Sequence, residues 1–132
     1  MGVVIAEDVR RACDLPSTPH EAPRFDFDSA RLRPRGEDVL VSVASCVARN
    51  RLGDAVLRVV GYTDPRGSAE YNEQLGLYRA TAAKQHLVDL GVPAERIATD
   101  SRGERGSRGS DEASWALDRR VEIRLTDPPQ LP

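Results

Sequence analysis

The stretch AVLRVVGYTDPRGSAEYNEQLGLYRATAAKQHLVDL, residues 55–90, joins an apolar segment to a long polar one through a turn. Residues 55–61 are rich in β-branched side chains and lie between turn formers, which is typical of a largely buried strand. Ser68 can cap a following helix through its hydroxyl, and Gly91 provides a stop. The sequence therefore predicts a strand over residues 55–61 and a helix from about residue 68 to residue 90.

The rest of the chain predicts shorter elements. At the N-terminus, Ile5, Val9 and Ala12 lie at helical spacing and precede a Pro-rich stretch. Periodicity and turn formers then predict, in order, a strand at 24–28, a helix at about 36–50, a weak strand at 96–99, a loop at 101–110, a short helix at 111–118 and a strand at 119–125. This order predicts an α/β sandwich with a small mixed four-stranded sheet and helices packed on one side.

Bulk composition excludes several classes of protein. With 132 residues, 39% hydrophobic and 30% charged, the chain has the composition of one folded domain. A net charge of −2 gives no field that would gather nucleic acid. No apolar run reaches the roughly 18 residues that a membrane helix needs, and the start lacks a signal-peptide pattern, so we expect a mature or excised domain.

Cys13 and Cys46 are the only thiols of the chain. Their spacing and the two histidines do not predict a metal site, and we expect no cofactor. In an oxidising compartment the two cysteines can form a disulfide that contributes at most about 4 kcal/mol. Two separate buried thiols fit the sequence equally well.

Polar residues gather after the predicted strand. Asn72, Gly76 and Arg79 are four and three residues apart, so they lie on one helical face, and Asp64 precedes that helix. Arg can bind a carboxylate through two parallel hydrogen bonds, while Asp can accept from an ammonium, so the pair suits a zwitterionic ligand. The alternative is that Asp64 and Arg79 pair with each other as a surface salt bridge.

Residues 61–80, GYTDPRGSAEYNEQLGLYRA, resemble the signature of the OmpA-like peptidoglycan-binding domain family. In that signature a TD turn is followed at fixed spacing by G, YN, an L-[SG] pair and RA. The resemblance covers residues 24–125, and the LG pair at Leu75 and Gly76 together with the RRV segment is similar to the peptidoglycan-associated lipoprotein (Pal) branch. We therefore expect the binding domain over residues 24–126. The helical spacing and the Pro-rich stretch before it predict a short helix and linker over residues 1–23, and the prolines after it predict a tail at residues 127–132.

The resemblance also implies a ligand and a site. The family binds the meso-diaminopimelate of the peptidoglycan stem peptide without hydrolysing it. By position, Asp64 would accept from the ammonium of this ligand and Arg79 would bind its carboxylate. By the same positional match, six further residues would line or shape the pocket or lie near it: Phe27, Asp28, Thr63, Asn72, Leu75 and Arg120.

The expected function is therefore anchoring rather than catalysis. The resemblance implies a periplasmic or outer-membrane protein held to the cell wall, with peptidoglycan and other envelope proteins as partners. No nucleophile and base stand in a hydrolase motif, so we expect no enzyme. A protein-interaction adaptor on the same fold is the alternative, and the family spacing of Asp64 and Arg79 favours wall binding.

Overall fold

The computed structural model describes residues 3–15, 34–105, 107 and 118–126, and for residues 34–37 only the backbone. Within these residues there are four strands, β1 (Val3–Ile5), β2 (Val56–Tyr62), β3 (Ile97–Gly103) and β4 (Val121–Thr126). The same residues contain three helices, α1 (Glu7–Cys13), α2 (Pro34–Ala48) and α3 (Ala69–Asp89), and a 3₁₀ turn (Ala94–Arg96) that precedes β3. The strand predicted at 24–28 and all but the last residue of the helix predicted at 111–118 lie outside the described residues.

The strands form one mixed sheet in the order β1-β4-β2-β3. β4 runs parallel to β1 and antiparallel to β2, whereas β2 and β3 are parallel. Two adjacent parallel strands need a crossover connection, and α3 supplies it. The prediction of a small mixed four-stranded sheet is confirmed.

One face of this sheet forms the core with the helices. Val59 and Ile123 are paired across β2 and β4, and both are fully buried. They belong to one apolar cluster with Leu40 of α2 and with Ala83 and Leu87 of α3. Alternate strand residues thus meet the apolar stripes of the helices, as the predicted sandwich requires.

The long helix forms where the sequence predicts it. The Ser68 hydroxyl oxygen accepts a hydrogen bond from the backbone N–H of Tyr71 at 3.1 Å, which caps the first turn. Gly91, at φ +105°, takes a backbone conformation that favours glycine and stops the helix. Among the described residues, no helix is both long and apolar enough to cross a membrane.

The N-terminal segment contains a strand that the sequence analysis did not predict. Val3 and Ile5 lie in β1 against β4, and α1 follows, with Val9 fully buried. The apolar residues of this segment have helical spacing, but Val-Val-Ile also has a high preference for β structure. Pairing with β4 stabilises the strand. Cys13 of α1 and Cys46 of α2 are joined by a disulfide, with Cα atoms 5.4 Å apart.

Candidate functional site

The site lies where α3 approaches the ends of β2 and β3. Two glycines allow this approach, because a Cβ on Gly61 would lie 1.7 Å from the carbonyl oxygen of Gly76. A Cβ on Gly76 would in turn lie 2.3 Å from the hydroxyl oxygen of Ser101. The backbones of β2 and α3 are therefore in direct contact at this point. A side chain at Gly61 would push α3 away from the sheet, and one at Gly76 would displace the Ser101 hydroxyl.

Hydrogen bonds hold the same junction in place. The Ser101 hydroxyl donates to the carbonyl oxygen of Glu73 in α3 at 2.7 Å and accepts from the Gly103 N–H at 3.1 Å. The Thr63 N–H donates to the Gly103 carbonyl oxygen at 2.8 Å. The turn after β2, the end of β3 and the first half of α3 are thus fixed relative to one another.

Arg79 lies one helical turn beyond Gly76 and is only 1% exposed. Its Nη1 donates to the carbonyl oxygen of Tyr62, the last residue of β2, at 3.0 Å. A buried guanidinium needs such acceptors because it loses its hydration. Asn72, Gly76 and Arg79 are all buried against the sheet, which confirms that they share one face of the helix.

Asp64, two residues after Tyr62, is 3% exposed and accepts four hydrogen bonds. Its Oδ1 accepts from the backbone N–H and the Nε of Arg66, both at 3.1 Å. Its Oδ2 accepts from Arg66 Nη2 at 2.9 Å and from Arg119 Nη1 at 3.1 Å. Arg79 is not among these partners, so the alternative in which Asp64 and Arg79 only neutralise each other is wrong for the described residues.

The electrostatic consequence is an ionised carboxylate. Burial raises the pKa of Asp64, but hydrogen bonds from Arg66 and Arg119 and the charge of Arg66 outweigh burial. The pKa of Asp64 therefore lies below its ordinary value, and the group is negative at neutral pH.

The predicted turn and wall residues Thr63, Asn72 and Leu75 are all buried. Thr63 is buried, and its Oγ1 has no hydrogen-bond partner among the described residues. Asn72 donates from Nδ2 to Glu104 Oε1 at 3.0 Å, and a Cβ on Gly103 would lie 3.1 Å from the Asn72 backbone. Leu75 is buried but stands apart from the main core cluster. Phe27 and Asp28 lie outside the described residues.

Arg120 contacts Tyr62, and no hydrogen bond joins it to Asp64 among the described residues. Its guanidinium lies 3.9 Å from the ring centroid of Tyr62, and its Nε contacts Glu122 Oε2 at 2.8 Å. Arg124 bonds the same carboxylate and also donates to the Tyr62 hydroxyl at 2.6 Å. Burial raises the pKa of Glu122, but hydrogen bonds from Arg124 and Arg120 lower it by more. Of the Arg-Arg pair, Arg119 is the residue that contacts Asp64.

Sequence reasoning missed two contacts, those of Arg66 and Arg119 with Asp64. The sequence carries a weak signal for Arg119, because extending the alternation of β4 backwards gives it the parity of the buried Val121 and Ile123, whereas Arg120 has the opposite parity. For Arg66 the signal is weaker. An Asp in a turn often accepts from the N–H two residues later, but this rule does not place the side chain of that residue.

Comparison with known proteins shows which family the chain belongs to. The sequence profile described as the OmpA family matches residues 24–119. The chain belongs to the OmpA family. This OmpA-family chain is 40% identical over 102 residues to the peptidoglycan-associated lipoprotein of Pseudomonas putida, a match that covers 76% of the chain and 60% of that relative. For the peptidoglycan-associated lipoprotein of Pseudomonas aeruginosa the identity is 38% over 104 residues, with 76% and 59% covered.

Solved structures agree with the family assignment. The peptidoglycan-associated lipoprotein from Burkholderia pseudomallei superposes with a TM-score of 0.73 at 33% identity, covering 79% of this chain and 88% of that one. The C-terminal domain of Helicobacter pylori MotB gives a TM-score of 0.71 at 18% identity, covering 80% and 84%, which shows a common fold alone. The resemblance to the OmpA-like family and its Pal branch is confirmed.

Proposed function

We propose that the chain binds peptidoglycan non-covalently through the meso-diaminopimelate of the stem peptide. In this role it anchors a protein of the periplasm or of the periplasmic face of the outer membrane to the cell wall. Membership of the OmpA family and similarity to proteins named peptidoglycan-associated lipoprotein support the proposal. The chain spans about three fifths of the length of those relatives, and contact with other envelope proteins is part of the proposal.

The observation that carries the proposal is a pair of buried opposite charges that do not neutralise each other. Arg79 bonds the carbonyl oxygen of Tyr62, while Asp64 stands two residues further along the same backbone. The free end of meso-diaminopimelate has an ammonium and a carboxylate on one carbon. Such a ligand matches both charges at once, with the ammonium at Asp64 and the carboxylate at Arg79.

Thr63 adds a second reason to expect a polar ligand. A buried hydroxyl without a partner costs about 1–3 kcal/mol, and within the part of the chain that the structure describes the Thr63 hydroxyl, next to Asp64, has none. A ligand that donates to Oγ1 or accepts from it would remove that cost. Buried polar groups in folded proteins are nearly always satisfied, so a polar ligand at this position would explain the exception.

The charges suit holding a ligand rather than cleaving it. A general base works best with a pKa near the working pH, whereas arginine contacts lower the pKa of Asp64 below its ordinary value. An ionised carboxylate of this kind binds a cation well and takes a proton poorly. The proposed role is therefore binding without hydrolysis.

An adaptor for another envelope protein is the second candidate. Three large side chains on the outer face of α3 are well exposed: Tyr71 at 46%, Leu77 at 42% and Tyr78 at 59%. Tyrosine and leucine at a surface suit a protein contact, and such a contact would not need Asp64 or Arg79. The two candidates therefore differ in which substitutions abolish binding.

Co-sedimentation with purified sacculi tests the proposal. Wild type should pellet with sacculi, whereas Asp64→Ala, Asp64→Asn and Arg79→Ala should remain in the supernatant. Each of these substitutions removes one of the two charges proposed to bind the ligand. Arg102→Ala, at an exposed position in β3, should pellet like wild type. Circular dichroism of every variant verifies folding, and the isosteric Asp64→Asn keeps the test valid if an alanine variant unfolds. Full binding by folded Asp64→Asn would contradict the proposed site.

A further inference from the structure

The carboxylate of Asp64 is already saturated with hydrogen bonds. A carboxylate offers about four acceptor positions, two on each oxygen. Oδ1 accepts from the backbone N–H and the Nε of Arg66, and Oδ2 accepts from Arg66 Nη2 and Arg119 Nη1. A ligand ammonium therefore cannot bond to Asp64 unless one of these donors leaves.

The side chain of Arg66 is the donor best placed to leave. It is 31% exposed, whereas the side chain of Arg119 is 7% exposed and that of Asp64 is 3% exposed. The backbone N–H of Arg66 is part of the turn and stays when the side chain moves. Rotation of the Arg66 side chain into solvent would open one acceptor position on each oxygen, and an ammonium with three donors can take both.

Charge favours an exchange over an addition. Asp64 already contacts two guanidinium groups, so adding a ligand ammonium without removing either would place a third cation against one carboxylate. If an ammonium enters as the Arg66 guanidinium leaves, the local charge stays constant and the hydrogen bonds to Asp64 are replaced. Any ligand cation at Asp64 must therefore compete with Arg66.

From this geometry we infer that Arg66 is an internal competitor that occupies the ammonium position of the site and is displaced when ligand binds. This inference rests on the proposed function, and it adds a residue that limits affinity. Removing the competitor should strengthen binding of any ligand that has a free ammonium. It should have no effect on a ligand that reaches Arg79 but has no cation for Asp64.

The first test uses Arg66→Gln and the matched control Arg102→Gln in calorimetry with two muropeptides. One muropeptide carries meso-diaminopimelate with its free amine, and the other is acetylated on that amine. Arg66→Gln should bind the free-amine muropeptide about three- to tenfold more tightly than wild type, a gain that corresponds to releasing one bidentate ion pair. Its affinity for the acetylated muropeptide should equal that of wild type, and Arg102→Gln should change neither affinity. Weaker or unchanged binding of the free-amine muropeptide by Arg66→Gln would overturn the inference.

A second test does not depend on peptidoglycan. Methylammonium chloride is titrated into the wild-type protein and into Arg66→Gln at constant ionic strength. The chemical shift of the Asp64 carboxyl carbon is followed by NMR. Arg66→Gln should respond at a concentration at least about threefold lower than wild type does. Equal response would overturn the inference. A lower concentration in the variant, together with no muropeptide binding by any protein, would support the competitor and reject the proposed peptidoglycan function.

Discussion

The contact of α3 with the sheet predicts a severe effect for Gly61→Ala. The new Cβ would lie 1.7 Å from the carbonyl oxygen of Gly76, 2.6 Å from its carbonyl carbon and 3.0 Å from its Cα. All three obstacles are backbone atoms, so no side-chain rotation relieves the clash, and α3 must move away by roughly 1.5 Å to restore ordinary contact. Overpacking with a movable neighbour costs about 1–3 kcal/mol, so the unfolding free energy should fall by about 3 kcal/mol or more.

Urea denaturation followed by circular dichroism measures this loss. Gly53→Ala is the matched control, because Gly53 has a φ of +56° but nothing within 4 Å of its added Cβ. Gly53→Ala therefore measures the cost of backbone strain without a steric clash, and its unfolding free energy should fall by about 1–2 kcal/mol. A loss for Gly61→Ala equal to or smaller than that for Gly53→Ala would refute the close-packing account of α3.

Two further predictions concern stability. Because the folded pKa of Asp64 is lowered, its charge contributes stability that is fully present well above the unfolded value of 3.8 and is lost as pH falls from there through the folded pKa. Urea midpoints from pH 7 to pH 2 should therefore fall less steeply for Asp64→Asn than for wild type, and equal slopes would contradict this. The double substitution Cys13→Ala and Cys46→Ala opens a loop with a sequence separation of 33, so calorimetry should show a loss of up to about 4 kcal/mol, or roughly 15 °C in Tm. An unchanged Tm would contradict a stabilising disulfide.

Local signals in the sequence predicted the long helix well. The Ser68 cap and the Gly91 stop act through neighbouring backbone, so the predicted bounds at 68 and 90 enclose α3 within one residue at each end. The strand β1 was missed because its three residues are too few to show a period. Its pairing with β4 joins segments from opposite ends of the chain, and no local pattern encodes such a contact.

The site shows the same division between local and non-local information. The sequence analysis selected Asp64 and Arg79 as candidate site residues from the turn and the helical spacing, because both belong to one continuous motif. The contact of Arg119 with Asp64 depends on how the segment just before β4 turns, and the sequence analysis named Arg120 but not Arg119. The bidentate contact of Arg66 depends on the conformation of a side chain, which residue type and spacing do not fix.

In the proposed site, Asp64 binds the ammonium and Arg79 the carboxylate of one ligand. Calorimetry with two muropeptides that differ only at the third stem residue tests this arrangement most directly. A meso-diaminopimelate stem offers both an ammonium and a carboxylate, whereas a lysine stem offers the ammonium alone and leaves Arg79 without its anion. The lost charge-assisted hydrogen bonds should cost about 1.5–3 kcal/mol, so the lysine muropeptide should bind roughly tenfold to a hundredfold more weakly. Arg79→Lys should bind the diaminopimelate muropeptide with a similar loss, because one ammonium cannot reproduce the two-pronged grip of a guanidinium. Equal affinity of the wild-type protein for the two stems would mean that Arg79 does not bind the carboxylate, and would contradict the proposed site.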